Sequence, residues 1–310
     1  MHSGGRRYCP DAPTSHTATD RGSKKDAPDP FNPLISPNRA IVEGEGCLMR
    51  IDFVKRTFRY LFDHEVVAPS DRLLVIGGTD LDAETLFDIG FKNITILNIN
   101  KDALPRFGQK VKFIQGDVTN MSLQTDSVDV AFTSDCLHHC SSPHGAVIAM
   151  YRAARKAVVV IESRDNLLMK LGIRLGFTSN YELMSKNMDG HGGVDYSAVP
   201  NFVYRWTEKE FEKTIQSADP TIKHKFFYRY DLTLPERRFS ASRSTIQRWA
   251  LSGVAPLARA ISTAFPRQGN TFAMAVLKDP ETCELRPWLE RVDGEVRPRS
   301  EYYAKRGFTN

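Results

Sequence analysis

The chain has 310 residues and a formal net charge of +5, and its composition is ordinary for a globular protein. This length fits one large domain with insertions better than two small domains. The basic residues are scattered, which argues against a nucleic-acid partner, and no apolar run approaches the roughly 18 residues that span a bilayer. Five cysteines without regular spacing favour reduced thiols, so we expect a cytoplasmic protein.

The two ends of the chain differ in composition from its middle. Residues 1–45 are rich in glycine, proline, serine and charged residues, and they lack the apolar core of a secretory signal. We therefore expect a disordered tail over 1–45, a main domain over 46–280 and a C-terminal extension over 281–310. The mixed apolar segment MRIDFVKRTFRYLFDH predicts a helix ahead of the first strand.

Strand-like and helix-like segments begin to alternate at Arg72. The run RLLVIG is followed by a helix candidate that Gly90 would terminate, and then by the runs NITILNIN and KVKFIQGD. Residues 128–162 continue with a strand, a polar loop, an amphipathic helix and a second strand, VDVAF–TSDCLHH–PHGAVIAMYRAARK–AVVVIE. This order predicts a doubly wound, mostly parallel α/β sheet, in which ligands bind at the carboxyl ends of the strands.

The alternation is interrupted after Glu162. A helix-like run, RDNLLMKLGIRLGF, and a glycine-rich loop, NMDGHGGVDYSAVPNF, come next, and we interpret residues 163–205 as a lid inserted after the fifth strand. Thr207 and Glu210 have the spacing of a capping box at the start of the next helix. Two late strand-like runs, KHKFFYRYDL and NTFAMAVLK, complete the main domain.

The order of these segments resembles that of class I S-adenosylmethionine-dependent methyltransferases. The resemblance rests on VIGGTDLD at the first strand, Gly-Asp-Val at 116–118, the step Leu137-His138-His139 after the fourth strand, and a fifth strand that ends in Glu162. It covers roughly residues 70–280 and implies a seven-stranded sheet that ends in an antiparallel hairpin. It also implies an enzyme that transfers a methyl group, with S-adenosylmethionine as its cofactor.

The resemblance implies a cofactor site built from four strand ends. A glycine turn after the first strand lets the backbone approach the ligand without an intervening Cβ. The second strand end supplies an acceptor for the ribose hydroxyls, and the third supplies an acid and an apolar neighbour for adenine. The fourth supplies an acid near the methionine part or near the methyl acceptor. The residues at these positions are Gly77, Gly78, Asp80, Asn98, Asn100, Asp117, Val118 and Asp135.

This chain departs from the family pattern at two of the strand ends. Only the first glycine of the family's Gly-x-Gly-x-Gly turn is matched, and either Asp80 or Asp82 replaces the acid of that motif or caps the next helix. Asn98, or Asn100 in an alternative register, stands for a ribose-binding carboxylate and lacks its charge. Asp117 has the alternative interpretation of a turn residue. A nicotinamide cofactor is disfavoured because Gly-x-Gly-x-x-Gly is absent.

Three histidines are candidates for the proton transfer that a hydroxyl acceptor requires. His138 and His139 follow the fourth strand, and because adjacent residues of an extended loop point apart, we expect at most one of them to act directly. His191 lies in the glycine-flanked loop DGHGGVDY of the lid.

Two cysteines and three histidines between positions 136 and 144 are dense enough to suggest zinc. A structural zinc site usually draws pairs of ligands from two separated segments, and the sequence shows no second pair. We therefore expect no metal, and we interpret Cys136 and Cys140 as small apolar residues packed at a strand end.

The segments SRDNLLMKLGIRLGF to PNFVYRWTEKEFEKTI resemble methyltransferase-like proteins associated with bacterial glycan and glycolipid assembly. This second resemblance implies a small-molecule or glycan-precursor acceptor, methylated at a hydroxyl, with Asn201, Tyr204 and Arg205 as candidates to line its pocket. The alternative is a catalytically degenerate methyltransferase fold that serves as a binding or scaffold protein. The reason for this alternative is that the glycine turn is incomplete and that the ribose-binding carboxylate is missing.

Overall fold

A computed structural model describes residues 38–104, 110–120, 123–183, 191–234, 245–278 and 282–307. The helices in these ranges are α1 (Asn38–Asp63), α2 (Asp80–Ile89), α3 (Pro143–Ala153), α4 (Leu167–Arg174), α5 (Glu208–Ala218), α6 (Thr245–Ala264) and α7 (Ser300–Ala304). The strands are β1 (Arg72–Ile76), β2 (Asn93–Asn98), β3 (Lys112–Gln115), β4 (Val128–Ser134), β5 (Ala154–Ser163), β6 (Lys225–Asp231), β7 (Thr271–Leu277), β8 (Leu289–Val292) and β9 (Glu295–Pro298).

Seven of the strands form one sheet in the order β3-β2-β1-β4-β5-β7-β6. Strands β1 to β5 are paired in parallel, and β7 runs antiparallel to both β5 and β6. The sheet confirms the predicted doubly wound, mostly parallel fold with an antiparallel hairpin at its end. The strand order reverses between β1 and β4, which places the ligand crevice at the carboxyl ends of these two strands.

Helices cover both faces of the sheet and form two apolar cores. Phe58 of α1 and Leu86 of α2 pack on one face, and Met150 of α3 and Phe211 of α5 pack on the other. Because the central strands are buried on both faces, their sequences are continuous apolar runs rather than alternating ones. The helices therefore leave the strand ends as the place for polar side chains.

Two of the predicted helix boundaries are confirmed by their hydrogen bonds. Gly90 follows α2 with a φ of 112°, a left-handed conformation that favours glycine. At the start of α5, the backbone N–H of Thr207 donates to the carboxylate of Glu210, and the backbone N–H of Glu210 donates to the Thr207 hydroxyl. This reciprocal pair is the capping box that the sequence predicted.

The segment between β5 and α5 leaves the sheet and returns to the point where it left. The backbone N–H of Trp206 donates to the carbonyl of Ser163, and the N–H of Asp165 donates to the carbonyl of Trp206. Tyr181 and Phe202 form a β-bridge farther out. A segment closed at its base in this way has the form of an insertion at the ligand edge.

The ends of the chain add elements outside the main sheet. Helix α1 begins at Asn38, before position 45, where we placed the end of the tail, and residues 1–37 lie outside the described ranges. The C-terminal extension holds the hairpin β8–β9 and α7. Among the described residues, no helix is long and apolar enough to cross a membrane.

A polar network on the opposite edge of the sheet from the ligand crevice joins α3, α5 and β6. The hydroxyl of Tyr151 donates to Asp219 and lies 2.8 Å from Nε2 of His224. Burial lowers the pKa of His224 to about 4, although the charge of Asp219 opposes this effect. The folded protein therefore holds His224 neutral where an unfolded chain would take up a proton.

We expect the contribution of His224 to the free energy of unfolding to fall as the pH is lowered from about 6.5 towards 4, because the unfolded state binds a proton at this residue that the folded state excludes. The variant His224→Gln lacks this titration, so its stability should depend less on pH over the same window. Urea unfolding at pH 4.5, 5.5 and 7 measures both proteins. Equal pH dependence in the parent and the variant would contradict the assignment.

Candidate active site

A fully buried carboxylate joins two strand ends in the crevice. Glu162, near the end of β5, has no exposed surface. Its Oε1 accepts hydrogen bonds from the backbone N–H groups of Cys136 (2.9 Å) and Leu137 (2.6 Å). Its Oε2 lies 2.7 Å from Nδ1 of His138. These bonds shape the loop after β4 and orient the His138 ring.

His138 and His139 lie in a single 3-10 turn, Leu137–His139. Their ring centroids are 4.5 Å apart, and both rings face Glu182 of the lid: its Oε1 is 3.6 Å from His138 Nε2, and its Oε2 is 3.5 Å from His139 Nε2. The loop is thus a 3-10 turn and not the extended segment that the sequence suggested, so its two histidine rings need not point apart; that at most one of them acts directly stays a prediction. A tight turn keeps neighbouring side chains nearer to one another than the alternating directions of a strand do.

The two rings differ in their electrostatics. Burial acts to lower the pKa of His138, but the charges of Glu162 and Glu182 outweigh it and raise this pKa to about 9. Burial and the neighbouring charge of His138 lower the pKa of His139 below its ordinary value. The carboxylates of Glu162 and Glu182 thus favour a single positive charge on the pair of histidine rings.

Asp135 directly follows β4 and has a left-handed backbone conformation, with a φ of 48°. Its backbone N–H donates to the carbonyl of Ile161. Its side chain keeps 36% of its surface exposed, yet burial among protein atoms and the nearby Glu162 carboxylate raise the pKa of Asp135 to about 6. This acid lies at the strand end where the methionine part was expected.

Arg50 of α1 brings a cation to the same place, and the sequence analysis did not find it. Its Nη2 donates to Asp82 at 3.0 Å, and its Nη1 lies 3.9 Å from Oδ2 of Asp135. A guanidinium in this position can bind a ligand carboxylate. One basic residue in a helix ahead of the first strand gave no sequence signal, because only tertiary packing brings α1 to the crevice.

The turn after β1 requires glycine. Gly77 has a φ of 69°, and a Cβ at this position would collide with Sγ of Cys136. A Cβ at Gly78 would lie 2.8 Å from Cγ1 of Val75. Other side chains of the protein thus occupy the space that a Cβ would need at both positions, so the turn packs closely only with glycine there.

The two asparagines after β2 bind backbone groups. Asn98 donates from Nδ2 to the carbonyl of Gly78 (2.9 Å), and its Oδ1 accepts from the N–H of Asn100 (2.8 Å). Oδ1 of Asn100 accepts from the N–H of Asp102. Asn98 thus ties the second strand end to the glycine turn, and its carbonyl oxygen keeps one lone pair for a ligand hydroxyl.

Asp117 makes the bonds of a turn residue. Its Oδ1 accepts from the N–H and the hydroxyl of Thr119, and its Oδ2 accepts from Nδ2 of Asn120. Val118 is buried in the core beside it. These contacts agree with the alternative interpretation, in which Asp117 is a turn residue. A role for Asp117 in binding adenine stays a prediction.

The two acidic residues that follow the glycine turn, Asp80 and Asp82, differ in their contacts. Asp82 accepts from the N–H of Thr79 and forms a capping box with it, so the capping interpretation is confirmed for Asp82. Asp80 is the first residue of α2 and is nearly buried. Its cofactor role stays a prediction.

The remaining candidates are spread over the lid and its base. The ring of His191 packs on Tyr196, and no contact among the described residues joins it to His138 or His139. Asn201 is buried and donates to the carbonyl of His138, so it supports the histidine turn. The two other candidates for the acceptor pocket have partners outside the histidine cluster. The hydroxyl of Tyr204 lies near Glu210 and His144, and Arg205 donates to Asn180.

Comparison with known proteins bears on this crevice directly. Residues 74–161, from β1 to the end of β5, match the family model described as a methyltransferase domain. This match, together with a strand order that is the typical methyltransferase one, shows that the chain contains a methyltransferase domain. It is thus an enzyme, and S-adenosylmethionine is its cofactor.

Several solved structures are similar to parts of the chain. A methyltransferase from Thermotoga maritima, described as a possible histamine N-methyltransferase, is 14% identical, with a TM-score of 0.41, and the match covers 74% of this chain and 98% of that one. An S-adenosylmethionine-dependent methyltransferase from Archaeoglobus fulgidus is 13% identical, with a TM-score of 0.44 and coverages of 74% and 94%. The magnesium protoporphyrin IX methyltransferase of Synechocystis PCC 6803, with bound S-adenosylhomocysteine, is 11% identical, with a TM-score of 0.44 and coverages of 80% and 90%.

We expect Glu162→Ala to lower the free energy of unfolding by about 3–5 kcal/mol, because it leaves two buried N–H groups and a buried imidazole without their partner. Urea unfolding followed by circular dichroism measures the loss. Glu284→Ala is the matched control, since it breaks an exposed ion pair with Lys223 and should have a far smaller effect. Similar losses in both variants would contradict the central place of Glu162.

We expect Asn98→Asp to destabilise the protein by about 1–3 kcal/mol, because the carboxylate loses the donor to Gly78 and faces its carbonyl unpaired. Titration with S-adenosylhomocysteine and urea unfolding of the same samples separate affinity from stability. An unchanged stability together with tighter binding would mean that the side chain turns to the ribose instead of to Gly78.

Proposed function

We propose that this methyltransferase acts on a hydroxyl group of a small-molecule or saccharide acceptor. The observation that carries the proposal is the cluster of His138, His139 and Glu182, which lies beside Asp135 at the strand ends where the cofactor binds in this class. A hydroxyl is a weak nucleophile and needs help to lose its proton. A cluster of imidazole and carboxylate groups is suited to that task.

The described residues fit the cofactor in charge and shape. Gly77 presents backbone without a Cβ, Asn98 has a free lone pair for a ribose hydroxyl, and Val118 offers an apolar wall. Asp135 and Arg50 match the ammonium and carboxylate of an amino-acid end. When bound, S-adenosylmethionine supplies an activated methyl group on its sulfonium.

The exposure of the cluster indicates which side meets the acceptor. His138 is 6% exposed, whereas His139 and Glu182 keep 35% and 41% of their side-chain surfaces exposed. An acceptor hydroxyl would therefore meet His139 and Glu182, while His138 holds the turn. In the transfer the hydroxyl oxygen forms the new O–C bond, its proton passes to water through the cluster, and the C–S electron pair returns to sulfur.

The lid next to the cluster carries exposed apolar side chains. Tyr181 and Phe202 are 53% and 50% exposed, and their rings pack edge to face at 5.5 Å. Leu183 and Val199 are also exposed. Exposed apolar surface of this kind is common in ligand-binding grooves, and aromatic faces beside polar groups suit the mixed surface of a sugar ring. Because Tyr181 and Leu183 flank Glu182 in the chain, this surface adjoins the cluster.

The alternative of a degenerate scaffold protein rested on two departures from the family pattern. Asn98 compensates for one of them, since its two hydrogen bonds hold the strand end and the glycine turn together. Gly77 keeps the one conformation that the turn requires. Both observations support a cofactor site that still functions.

We expect His139→Ala and Glu182→Gln each to reduce methyl transfer by about 10²-fold or more, with affinity for S-adenosylhomocysteine within a few-fold of the parent. The measurement is transfer of a radiolabelled methyl group to a panel of free and nucleotide-linked sugars, together with calorimetric titration of S-adenosylhomocysteine. His64→Ala, at an exposed histidine beyond the end of α1, is the control and should match the parent. Absence of binding at millimolar S-adenosylhomocysteine would overturn the proposed function.

A further inference from the structure

We propose that His138, His139 and Glu182 bind a divalent transition-metal ion, with Zn²⁺ as the favoured ion, and that this ion holds the acceptor hydroxyl. One donor atom from each of the three residues lies within 4.8 Å of the other two. Only the role of the ion in transfer depends on the proposed function. The binding of the ion does not depend on it.

The separations within the cluster fit ligands of a common ion better than direct hydrogen bonds. The two nitrogen-to-oxygen distances are 3.6 Å for His138 and 3.5 Å for His139, longer than an ordinary N–H···O bond. In a tetrahedral site with bonds of about 2.0–2.1 Å, neighbouring ligand atoms lie roughly 3.4 Å apart. Each imidazole nitrogen is therefore spaced from one oxygen of Glu182, Oε1 for His138 and Oε2 for His139, as two ligands of a common zinc ion would be.

His138 is held from behind, as metal-binding histidines usually are. Its Nδ1 lies 2.7 Å from Oε2 of the buried Glu162, so its Nε2 is directed towards Glu182. A carboxylate in this position fixes the ring orientation of a ligating histidine and increases its basicity.

The types of ligand in the site indicate which metal ion it would bind and what that ion would do in catalysis. Two imidazoles and one carboxylate suit zinc and related transition metals, and they disfavour magnesium and calcium, which prefer oxygen ligands. Three protein ligands leave a fourth position open, which is the arrangement of catalytic zinc sites. A hydroxyl bound there loses its proton to water more readily, because the ion stabilises the alkoxide.

This inference revises the expectation that the chain has no metal site. That expectation rested on the lack of a second pair of ligands in a separated segment. In the structure the Cys136 thiol packs against Gly77, and the Cys140 thiol donates to the carbonyl of Cys136. The third ligand comes instead from the lid. Glu182 could not be assigned from the sequence, because nothing in its local pattern places it opposite the histidines.

The test uses the full chain, freed of metal with a chelator and titrated calorimetrically with Zn²⁺ or Mg²⁺. We expect one Zn²⁺ ion per chain at micromolar affinity or tighter, and no binding of Mg²⁺ at millimolar concentration. His139→Ala and Glu182→Gln should each weaken Zn²⁺ binding by about 10²-fold. Glu162→Gln keeps the shape of the side chain and should weaken binding by about 10- to 100-fold, and His64→Ala should leave it unchanged.

X-ray absorption of the zinc-loaded protein identifies the ligands. We expect zinc–nitrogen and zinc–oxygen distances near 2.0–2.1 Å and no sulfur neighbour near 2.3 Å. A sulfur neighbour, with binding lost in Cys140→Ser, would overturn the assignment in favour of a cysteine site. Folded protein that binds S-adenosylhomocysteine but no Zn²⁺ would overturn this inference alone. Protein that binds Zn²⁺ through these residues but no S-adenosylhomocysteine would overturn the proposed function alone.

Discussion

The hydrogen bonds of the buried Glu162 carboxylate constrain the whole ligand edge of this protein. A carboxylate without exposed surface has to be paired within the fold, because the loss of hydration is expensive in the interior. Its partners are two backbone N–H groups and a histidine from the loop after β4. That loop must therefore close into a tight turn against the end of β5, and Cys136 is pressed against the turn after β1, where only glycine fits.

The proposed acceptor side of the crevice follows from the same turn. The 3-10 geometry brings two neighbouring histidine rings to one side, and the carbonyl of His138 accepts a hydrogen bond from the buried amide of Asn201. The N–H of Ser141 donates to Asp195. Residues 163–205, which we interpret as a lid, are thus attached to the loop that Glu162 shapes, and Glu182 faces both rings.

The cofactor side is organised by different forces. Around Asp82 and Asp135, the cation of Arg50 balances acids at the ends of two elements. At β2, the neutral amide of Asn98 replaces a charged group and serves as a brace between the strand end and the glycine turn. The neutral side chain that stands at the family's ribose-binding position is therefore used within this chain to connect two strand ends.

Local patterns in the sequence were sufficient to predict the alternating strands and the helix ends at Gly90 and Thr207, because apolar periodicity and caps act between near neighbours. The seven-stranded sheet and its antiparallel hairpin were implied by the resemblance to a known family and not by local patterns. The sequence also located the crevice and the histidine pair. Only the tertiary structure could bring Arg50 and Glu182 into the site and let Asn98 connect the second strand end to the glycine turn, because these contacts join residues that are far apart in the chain. Only the tertiary structure could also show that both histidine rings turn to one side, because periodicity does not determine side-chain directions.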